Sequence, residues 1–196
     1  MDDEALVRQV VSGNKEAFRL LVLRYQRPLF RFLGLLGFGK PAAEDIAQQA
    51  FLKAFVALRE FDPARARFST WLFTIAKRLA ANEAARSHHR HEAPIGDGLD
   101  GAGDGDGAVA GPSGARDPSP PEPAVAAELS RRLQQALAAL PSHLQSTFYL
   151  SQIRELSLQE VAAVEGCAVG TVKSRVHRAR EQLRAALGER ARWSDR

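Results

Sequence analysis

Hydrophobic residues in the first ninety positions recur at the three- and four-residue spacing of amphipathic helices. This spacing predicts a short helix over residues 3–12 that ends at Gly13. It predicts a long second helix that Asn14 caps and that runs to the glycines beginning at Gly34. No stretch alternates for long enough with the two-residue period of a strand. The N-terminal block therefore reads as helical throughout.

Two further helices complete this block. The third begins near Pro41, whose ring suits a first helical turn, and continues to about Arg59. The sequence after Phe61 breaks the helical pattern. Ser69 is then placed to cap a fourth helix that runs towards His88.

Behind residue 122 the helical pattern returns. One helix is predicted over residues 123–139, and Pro141 opens another that runs to about Gln152. Ser157 then caps a short helix, and Glu160, three positions on, can reach back to it. Gly166 permits a tight turn, and a second helix follows from Thr171. Residues 157–187 are thus predicted to form a helix-turn-helix.

The two helices of this motif have different faces. The first carries an apolar stripe of Leu158, Val161, Ala162 and Val164. The second is expected to turn Val172, Val176 and Ala179 inward and to leave the polar and basic side chains pointing away from the core. An ordinary helical hairpin with a solvated face is the alternative interpretation. We favour a nucleic-acid contact, because positive charge at that density repels itself without an anionic partner.

Residues 92–121 separate the two helical blocks. They hold 8 of the 15 glycines and 5 of the 10 prolines, and few apolar side chains to offset the entropy of ordering them. We expect a flexible linker with a span of roughly 30 Å. The predicted fold class is all-α, with two small helical domains at residues 1–91 and 122–190.

Charge along the 196 residues follows the same division. Residues 1–91 carry a net charge of +6, the linker carries −5 and residues 122–196 carry +3, which together give the overall +4. No apolar run reaches the roughly 20 residues of a membrane span, and the acidic start is unlike a signal peptide, so a cytoplasmic protein is expected. Cys167 is the only cysteine, which excludes an intrachain disulfide and a cysteine-cluster metal site.

Three stretches together resemble a bacterial extracytoplasmic-function (ECF) sigma factor of the sigma-70 family. They are residues 43–55 (AEDIAQQAFLKAF), residues 61–78 (FDPARARFSTWLFTIAKR) and the helix-turn-helix, which contains GTVKSR at 170–175. The resemblance covers residues 3–91 and 122–188 and implies two domains matching the sigma region 2 and region 4 folds. It implies a dissociable subunit that binds core RNA polymerase, recognises the minus-ten and minus-thirty-five promoter elements and aids DNA melting.

The resemblance also assigns candidate residues. The third helix matches the segment that binds the clamp helices of the largest polymerase subunit, with candidates Asp45, Gln48, Gln49, Leu52 and Lys53. The loop and fourth helix match the minus-ten reader, with candidates Phe61, Arg65, Arg67, Ser69, Thr70, Trp71, Lys77, Arg78 and Arg86. The second helix of the motif matches the minus-thirty-five reader, with candidates Thr171, Lys173, Ser174, Arg175, His177 and Arg178.

Physical chemistry supports several of these assignments. Four of the polymerase candidates share one helix face by their spacing. The arginines and lysines suit phosphate contacts, and Arg175 and Arg178 suit guanine edges, which a bidentate arginine recognises. Trp71 is left open between a core anchor and a platform on which an unstacked base rests.

The expected partners are core RNA polymerase (its clamp helices and flap), promoter DNA and an anti-sigma factor. No cofactor, metal, catalytic residue or membrane insertion is expected, since no nucleotide-binding loop or ligand cluster is present. Two rival functions remain: a helix-turn-helix regulator that binds an operator as a dimer, and a helical protein that only sequesters a partner. Unlike the first rival, a sigma factor should bind its promoter weakly when free and strongly with core polymerase.

Overall fold

The computed structural model describes the backbone of residues 2–92 and 124–187, and the side chains of residues 2–86 and 131–187. These residues form helices joined by turns, and the described ranges contain no strand. The prediction of an all-α chain with two helical domains is confirmed. Residues 93–121 of the predicted linker and the tail from residue 188 lie outside the described ranges.

Four α-helices form the N-terminal domain. They are α1 (Asp3–Val11), α2 (Glu16–Leu35), α3 (Lys40–Val56) and α4 (Phe68–Glu92), with a short 3-10 turn at Leu58–Glu60. α2, α3 and α4 pack on one another, and α1 covers α2. The Phe32 and Phe73 rings meet edge to face at 5.2 Å in the middle of this core, and neither is exposed. The core thereby fixes the register of α4 against α2.

Four more α-helices form the C-terminal domain. They are α5 (Ala124–Ala138), α6 (Ser142–Phe148), α7 (Leu158–Glu165) and α8 (Val169–Leu187), with a π turn at Tyr149–Ile153 after α6. α8 is the centre of this domain, because α5, α6 and α7 all pack against it. Leu144, Phe148, Ala179 and Leu183 belong to a small core of this domain alone.

The two domains also share a core. Tyr149, Leu150, Val161 and Val172 are buried in the same apolar cluster as the residues of α2 and α4. α7 packs along α4, and α6 contacts α2. The helix-turn-helix therefore rests directly on the N-terminal domain, an arrangement that the sequence did not predict.

Several predicted helix ends are wrong. Asn14 does not cap α2, which begins at Glu16, because its side-chain amide donates to Gln9 at 3.3 Å instead. Ser69 does not cap α4, since burial of Phe68 brings that residue into the helix and places Ser69 in the first turn. α3 ends at Val56 and gives way to the 3-10 turn before Arg59.

The C-terminal helices also differ from their predicted bounds. The helix that Pro141 precedes does not continue as an α-helix to Gln152 but widens into the π turn from Tyr149. α8 begins at Val169 rather than Thr171 because Val169 packs against the shared core.

Candidate nucleic-acid interface

The helix-turn-helix has the local geometry that its sequence predicts. The Ser157 hydroxyl accepts from the Glu160 amide at 3.2 Å, and the Glu160 carboxylate accepts from the Ser157 amide at 2.8 Å. This reciprocal pair fixes the start of α7. Gly166 ends α7 with φ 66° and ψ 36°, the left-handed conformation that glycine adopts without steric cost.

α8 buries one side and exposes the other. Val172, Val176 and Ala179 point inward as predicted. On the other side Lys173, Ser174, His177 and Arg178 are exposed, whereas Thr171 and Arg175 are half-buried. Four of the six predicted minus-thirty-five residues thus form a continuous exposed surface at the start and middle of one helix.

Two of these side chains have partners within their own helix. The Ser174 hydroxyl donates to the Thr171 carbonyl at 2.9 Å. His177 lies 3.4 Å from the exposed carboxylate of Glu181, one turn further along. Both contacts are local and exposed, so a DNA groove can replace them at little cost.

Arg175 is oriented differently from the prediction. Its side chain is only 26% exposed, and its guanidinium lies 3.8 Å from the Glu165 carboxylate on α7 and 3.9 Å from the Cys167 sulfur. The expectation that Arg175 points away from the core is wrong in this arrangement of the domains. The buried carboxylate of Glu165 draws the guanidinium inward.

An aromatic cluster lies where the loop of residues 61–67 meets α4. Phe61 stacks at a tilt against Trp71 with centroids 5.0 Å apart, and Phe68 lies edge-on to both rings. Phe68 is buried, whereas Phe61 and Trp71 are half-buried and pack at the margin of the core. Trp71 thus anchors the loop and still presents part of its ring at the surface.

The polar residues predicted for the minus-ten element divide into two groups. Arg65, Arg67, Arg78 and Arg86 are exposed. Ser69 and Thr70 are buried, and Lys77 is only 27% exposed. Thr70 and Lys77 contact Glu160 and Glu165 of α7, so in this arrangement DNA can reach the arginines but not the buried Ser69 and Thr70 or most of Lys77.

Two carboxylates of α7 make these interdomain contacts. Glu160 accepts from the Thr70 hydroxyl at 2.9 Å and lies 3.7 Å from Arg67. Glu165 lies 3.2 Å from the Lys77 ammonium, and only 3% of its side chain is exposed. Sequence reasoning assigned neither contact, although one signal was available. Glu165 follows Val161 by four positions and Ala162 by three, which places a charge on the apolar stripe of α7.

Burial and hydrogen bonding act in opposite directions on Glu160. Burial alone would raise its pKa, but hydrogen bonds from Ser157 and Thr70 and the charge of Arg67 outweigh burial and lower the pKa. Burial raises the pKa of Tyr149, which therefore stays a neutral donor near pH 7. Its hydroxyl donates across the domain boundary to the Pro28 carbonyl at 3.1 Å.

The predicted polymerase residues all lie on the exposed side of α3. Asp45, Gln48, Gln49, Leu52 and Lys53 are solvent-exposed, and Leu52 is 64% exposed. Beside them a shallow groove of about 500 Å³ runs between α2 and α3. Its lining consists of Lys15, Phe18, Arg19, Val22, Phe51, Leu52 and Phe55. An apolar floor with a polar border suits a helix of another protein.

The described residues contain neither a metal-binding cluster nor a membrane-spanning helix. Within residues 2–86 and 131–187, no three histidine, cysteine, aspartate or glutamate side chains converge as a metal site would require. No helix in the described part of the chain is long and apolar enough to cross a membrane.

Comparisons with known proteins agree with this architecture. Residues 21–90 match the family Sigma-70 region 2, and residues 130–183 match Sigma-70, region 4. The chain is 35% identical over 187 residues to the RNA polymerase sigma-H factor of Pseudomonas aeruginosa, covering 94% of this chain and 93% of that protein. It is 33% identical to the ECF RNA polymerase sigma factor SigW of Bacillus subtilis, covering 92% and 94%.

Solved structures show the same fold. CnrH in complex with the cytosolic domain of CnrY superposes with a TM-score of 0.58 at 28% identity, covering 96% of this chain and 99% of that one. The sigma factor RpoE of Bartonella quintana, solved with the anti-sigma factor NepR, gives 0.58 at 24% identity, covering 89% and 98%. The chain therefore belongs to the ECF sigma factors of the sigma-70 family, the subunits through which RNA polymerase starts transcription at promoters.

Proposed function

We propose that this sigma factor reads a minus-thirty-five element with α8 and a minus-ten element with the loop and α4, while α3 holds core polymerase. The observation that carries the proposal is the exposed surface of α8. Lys173, Ser174, His177 and Arg178 share it, and the opposite side of the helix is buried. An α-helix fits the major groove, where such side chains meet phosphates and base edges.

Each group of residues has a separate task in this proposal. Arg178 reads a guanine edge, and Arg175 reads a second one once its guanidinium turns from the Glu165 carboxylate towards the groove. Thr171, Lys173 and Ser174 hold phosphates near the start of α8, helped by the helix dipole. His177 lies between the two arginines on the same helix. The minus-thirty-five contact then fixes where polymerase sits upstream of the start site.

The minus-ten element is opened as well as read. An unstacked base needs an aromatic surface beside positive charge, and Phe61 and Trp71 provide that surface next to Arg65 and Arg67. Lys77, Arg78 and Arg86 continue the basic surface along α4 and hold the phosphates of the separated strand. Thr70 joins this contact once α7 moves away, since Glu160 of α7 covers it.

Core polymerase binds the exposed face of α3 in this proposal. Asp45, Gln48 and Gln49 supply hydrogen-bonding groups, Lys53 a positive charge and Leu52 an apolar anchor, which together suit the clamp helices of the largest subunit. The C-terminal domain contacts the polymerase flap. The protein works in the cytoplasm and is not itself an enzyme, because the polymerase supplies the catalysis.

We also propose that another protein, an anti-sigma factor, holds the chain inactive. The solved relative CnrH is in complex with the cytosolic domain of CnrY. A co-purification from cells that carry the tagged chain, followed by inhibition of transcription with the recovered partner, tests this part separately.

The test of promoter reading compares two arginines of one helix. Arg178→Ala and Arg184→Ala each remove one positive charge from an exposed position of α8. With core polymerase present, Arg178→Ala should lose discrimination at a single base pair by about 5- to 150-fold, the equivalent of about 1–3 kcal/mol. Arg184→Ala should weaken binding to every promoter variant alike. Equal base preferences in the two variants would contradict the proposed reader.

A further inference from the structure

Tyr25 belongs to a second layer of rings behind the aromatic surface of the proposed minus-ten contact. Its side chain is 5% exposed, and its ring tilts against the Phe68 ring with centroids 5.6 Å apart. Phe68, itself 2% exposed, lies 6.1 Å from the Phe61 ring and 6.0 Å from the Trp71 ring. Two buried rings therefore support two half-buried rings, and only the outer pair is open to DNA.

A carboxylate of α1 holds the Tyr25 ring in place. The Tyr25 hydroxyl donates to Asp3, whose other oxygen accepts from the Arg24 guanidinium. Burial and the hydrogen bond to Asp3 raise the pKa of the Tyr25 hydroxyl above its ordinary value, so this group remains a donor near neutral pH. A hydrogen bond to a charged acceptor is stronger than one between neutral groups. Asp3 thus fixes the polar end of a ring whose body packs on Phe68.

The loop of residues 61–67 is attached to the N-terminal domain through these rings. Two amides of the loop donate to Asp62 at 2.9 and 3.1 Å, and these short-range contacts shape the tip of the loop. Phe61 begins the loop, Trp71 lies in the first turn of α4 just beyond it, and both rings pack on Phe68. A shift of Phe68 would therefore be transmitted to both ends of the loop.

Orientation matters to a surface that receives a base. Stacking requires the base and the ring to overlap in nearly parallel planes. Functional side chains keep such an orientation when a further layer of residues packs behind them and holds their rotamers. Tyr25 and Phe68 form that layer, since both are buried and both contact their neighbours edge-on or at a tilt.

We propose that Tyr25, anchored by Asp3, is a positioning residue for promoter opening. Through Phe68 it sets the orientation of the Phe61 and Trp71 rings, which receive an unstacked minus-ten base. This inference rests on the proposed function, because it needs those two rings to be the surface that receives the base. The start of α1 thereby influences promoter opening without touching the DNA.

Two substitutions of Asp3 separate its hydrogen bond from its charge. Asp3→Ala removes the acceptor of the Tyr25 hydroxyl, whereas Asp3→Asn removes the charge and keeps an oxygen that can accept from it. Glu4→Ala is the matched control, because it removes one carboxylate from the same turn of α1. The Glu4 side chain is 62% exposed and pairs at 3.7 Å with Arg8 of its own helix.

Tyr25→Phe is an independent variant that removes only the hydroxyl. It keeps the ring packed on Phe68 and beneath the Arg154 guanidinium, which lies 5.7 Å from the centre of the ring. The contact with the C-terminal domain is therefore preserved. If Asp3→Ala does not fold, Tyr25→Phe decides the question alone.

The first measurement is the rate at which the holoenzyme opens a promoter duplex that carries 2-aminopurine in the minus-ten element. The fluorescence of this base rises when it unstacks. At saturating holoenzyme, Asp3→Ala and Tyr25→Phe should slow opening about twofold to tenfold, the range expected for the loss of one hydrogen bond. Asp3→Asn and Glu4→Ala should keep the unsubstituted rate. A variant that merely unfolds more easily would also keep that rate, so equal rates in Asp3→Ala, Tyr25→Phe and Glu4→Ala would overturn the proposal.

The second measurement needs no DNA. With Trp193 replaced by phenylalanine, Trp71 is the only tryptophan of the chain, and its fluorescence anisotropy reports how firmly its ring is held. The anisotropy should fall in Asp3→Ala and Tyr25→Phe and stay unchanged in Asp3→Asn and Glu4→Ala. The same anisotropy in all four variants would likewise overturn the positioning role.

Trp71→Ala distinguishes failure of the proposed function from failure of this inference. It removes part of the surface that receives the base, so an unchanged opening rate in this variant would contradict the proposed function. Slow opening in Trp71→Ala, together with the unsubstituted rate in Asp3→Ala and Tyr25→Phe, would contradict only the positioning role.

Discussion

A substitution at Leu52 tests whether α3 carries the surface that binds core polymerase. Leu52 is 64% exposed on α3 and lines the groove between α2 and α3. Replacing it by alanine removes an apolar anchor from the proposed contact and leaves the core of the domain untouched. Leu23→Ala is the matched control, because Leu23 is 51% exposed on α2 and does not line that groove.

The magnitude follows from the exposed fraction of the side chain. Complete burial of a leucine is worth about 1.5–3 kcal/mol. Since about two-thirds of Leu52 is exposed in the free chain, docking can bury a surface worth about 1–2 kcal/mol. Alanine keeps part of that surface, so Leu52→Ala should weaken polymerase binding about fivefold to tenfold.

The assay titrates core polymerase into chains that carry a dye at the N-terminus and follows fluorescence anisotropy. Urea unfolding checks that each variant is folded, and neither should change the free energy of unfolding by more than about 0.5 kcal/mol. Unchanged binding by Leu52→Ala, or an equal loss in Leu23→Ala, would refute the assignment of this surface.

Two further predictions concern α7. Ser157→Ala removes the reciprocal cap and should lower the free energy of unfolding by about 1 kcal/mol in urea titrations; an unchanged midpoint would show that the cap contributes nothing. Glu160 has a lowered pKa in the folded chain. Its charge therefore stabilises the fold at pH values above the ordinary pKa of about 4.5. This contribution is lost as the pH falls through the lowered folded pKa. The difference in the free energy of unfolding between the unsubstituted chain and Glu160→Gln should therefore become smaller as the pH falls. A difference that becomes larger would contradict the lowered pKa.

Local signals in the sequence predicted much of the fold. Ser157 and Glu160 share a capping pattern only three residues long, and Gly166 marks a turn by its own conformational freedom. The buried side of α8 follows from the spacing of Val172 and Val176. Such features depend on near neighbours in the chain, so they can be read without knowledge of the tertiary structure.

Features that depend on distant residues were not predicted. Phe68 joins α4 because its ring packs against Tyr25, Phe61 and Trp71, and this moves the helix start past Ser69. Arg175 turns inward because the Glu165 carboxylate, ten positions earlier, is buried against α4. The periodicity of a helix shows which side is apolar but not which domain covers it.

The candidate site shows the same limit. Motif resemblance selected basic and aromatic residues, and more than half of them are exposed, on the loop before α4, on α4 or on α8. It could not indicate that Thr70 and Lys77 are covered by α7, because that contact joins residues about ninety positions apart. The exposed set on α3 was easier to predict, since four of its members share one helix face by spacing alone.

This chain turns core polymerase into an enzyme that starts transcription at specific promoters. Run-off transcription with purified core polymerase, the chain and the DNA upstream of its own gene tests that claim most directly. A discrete transcript should form only when both proteins are present, and Arg175→Ala combined with Arg178→Ala should abolish it. No transcript from the unsubstituted chain, together with the same DNA footprint with and without polymerase, would contradict the claim and indicate an operator-binding regulator.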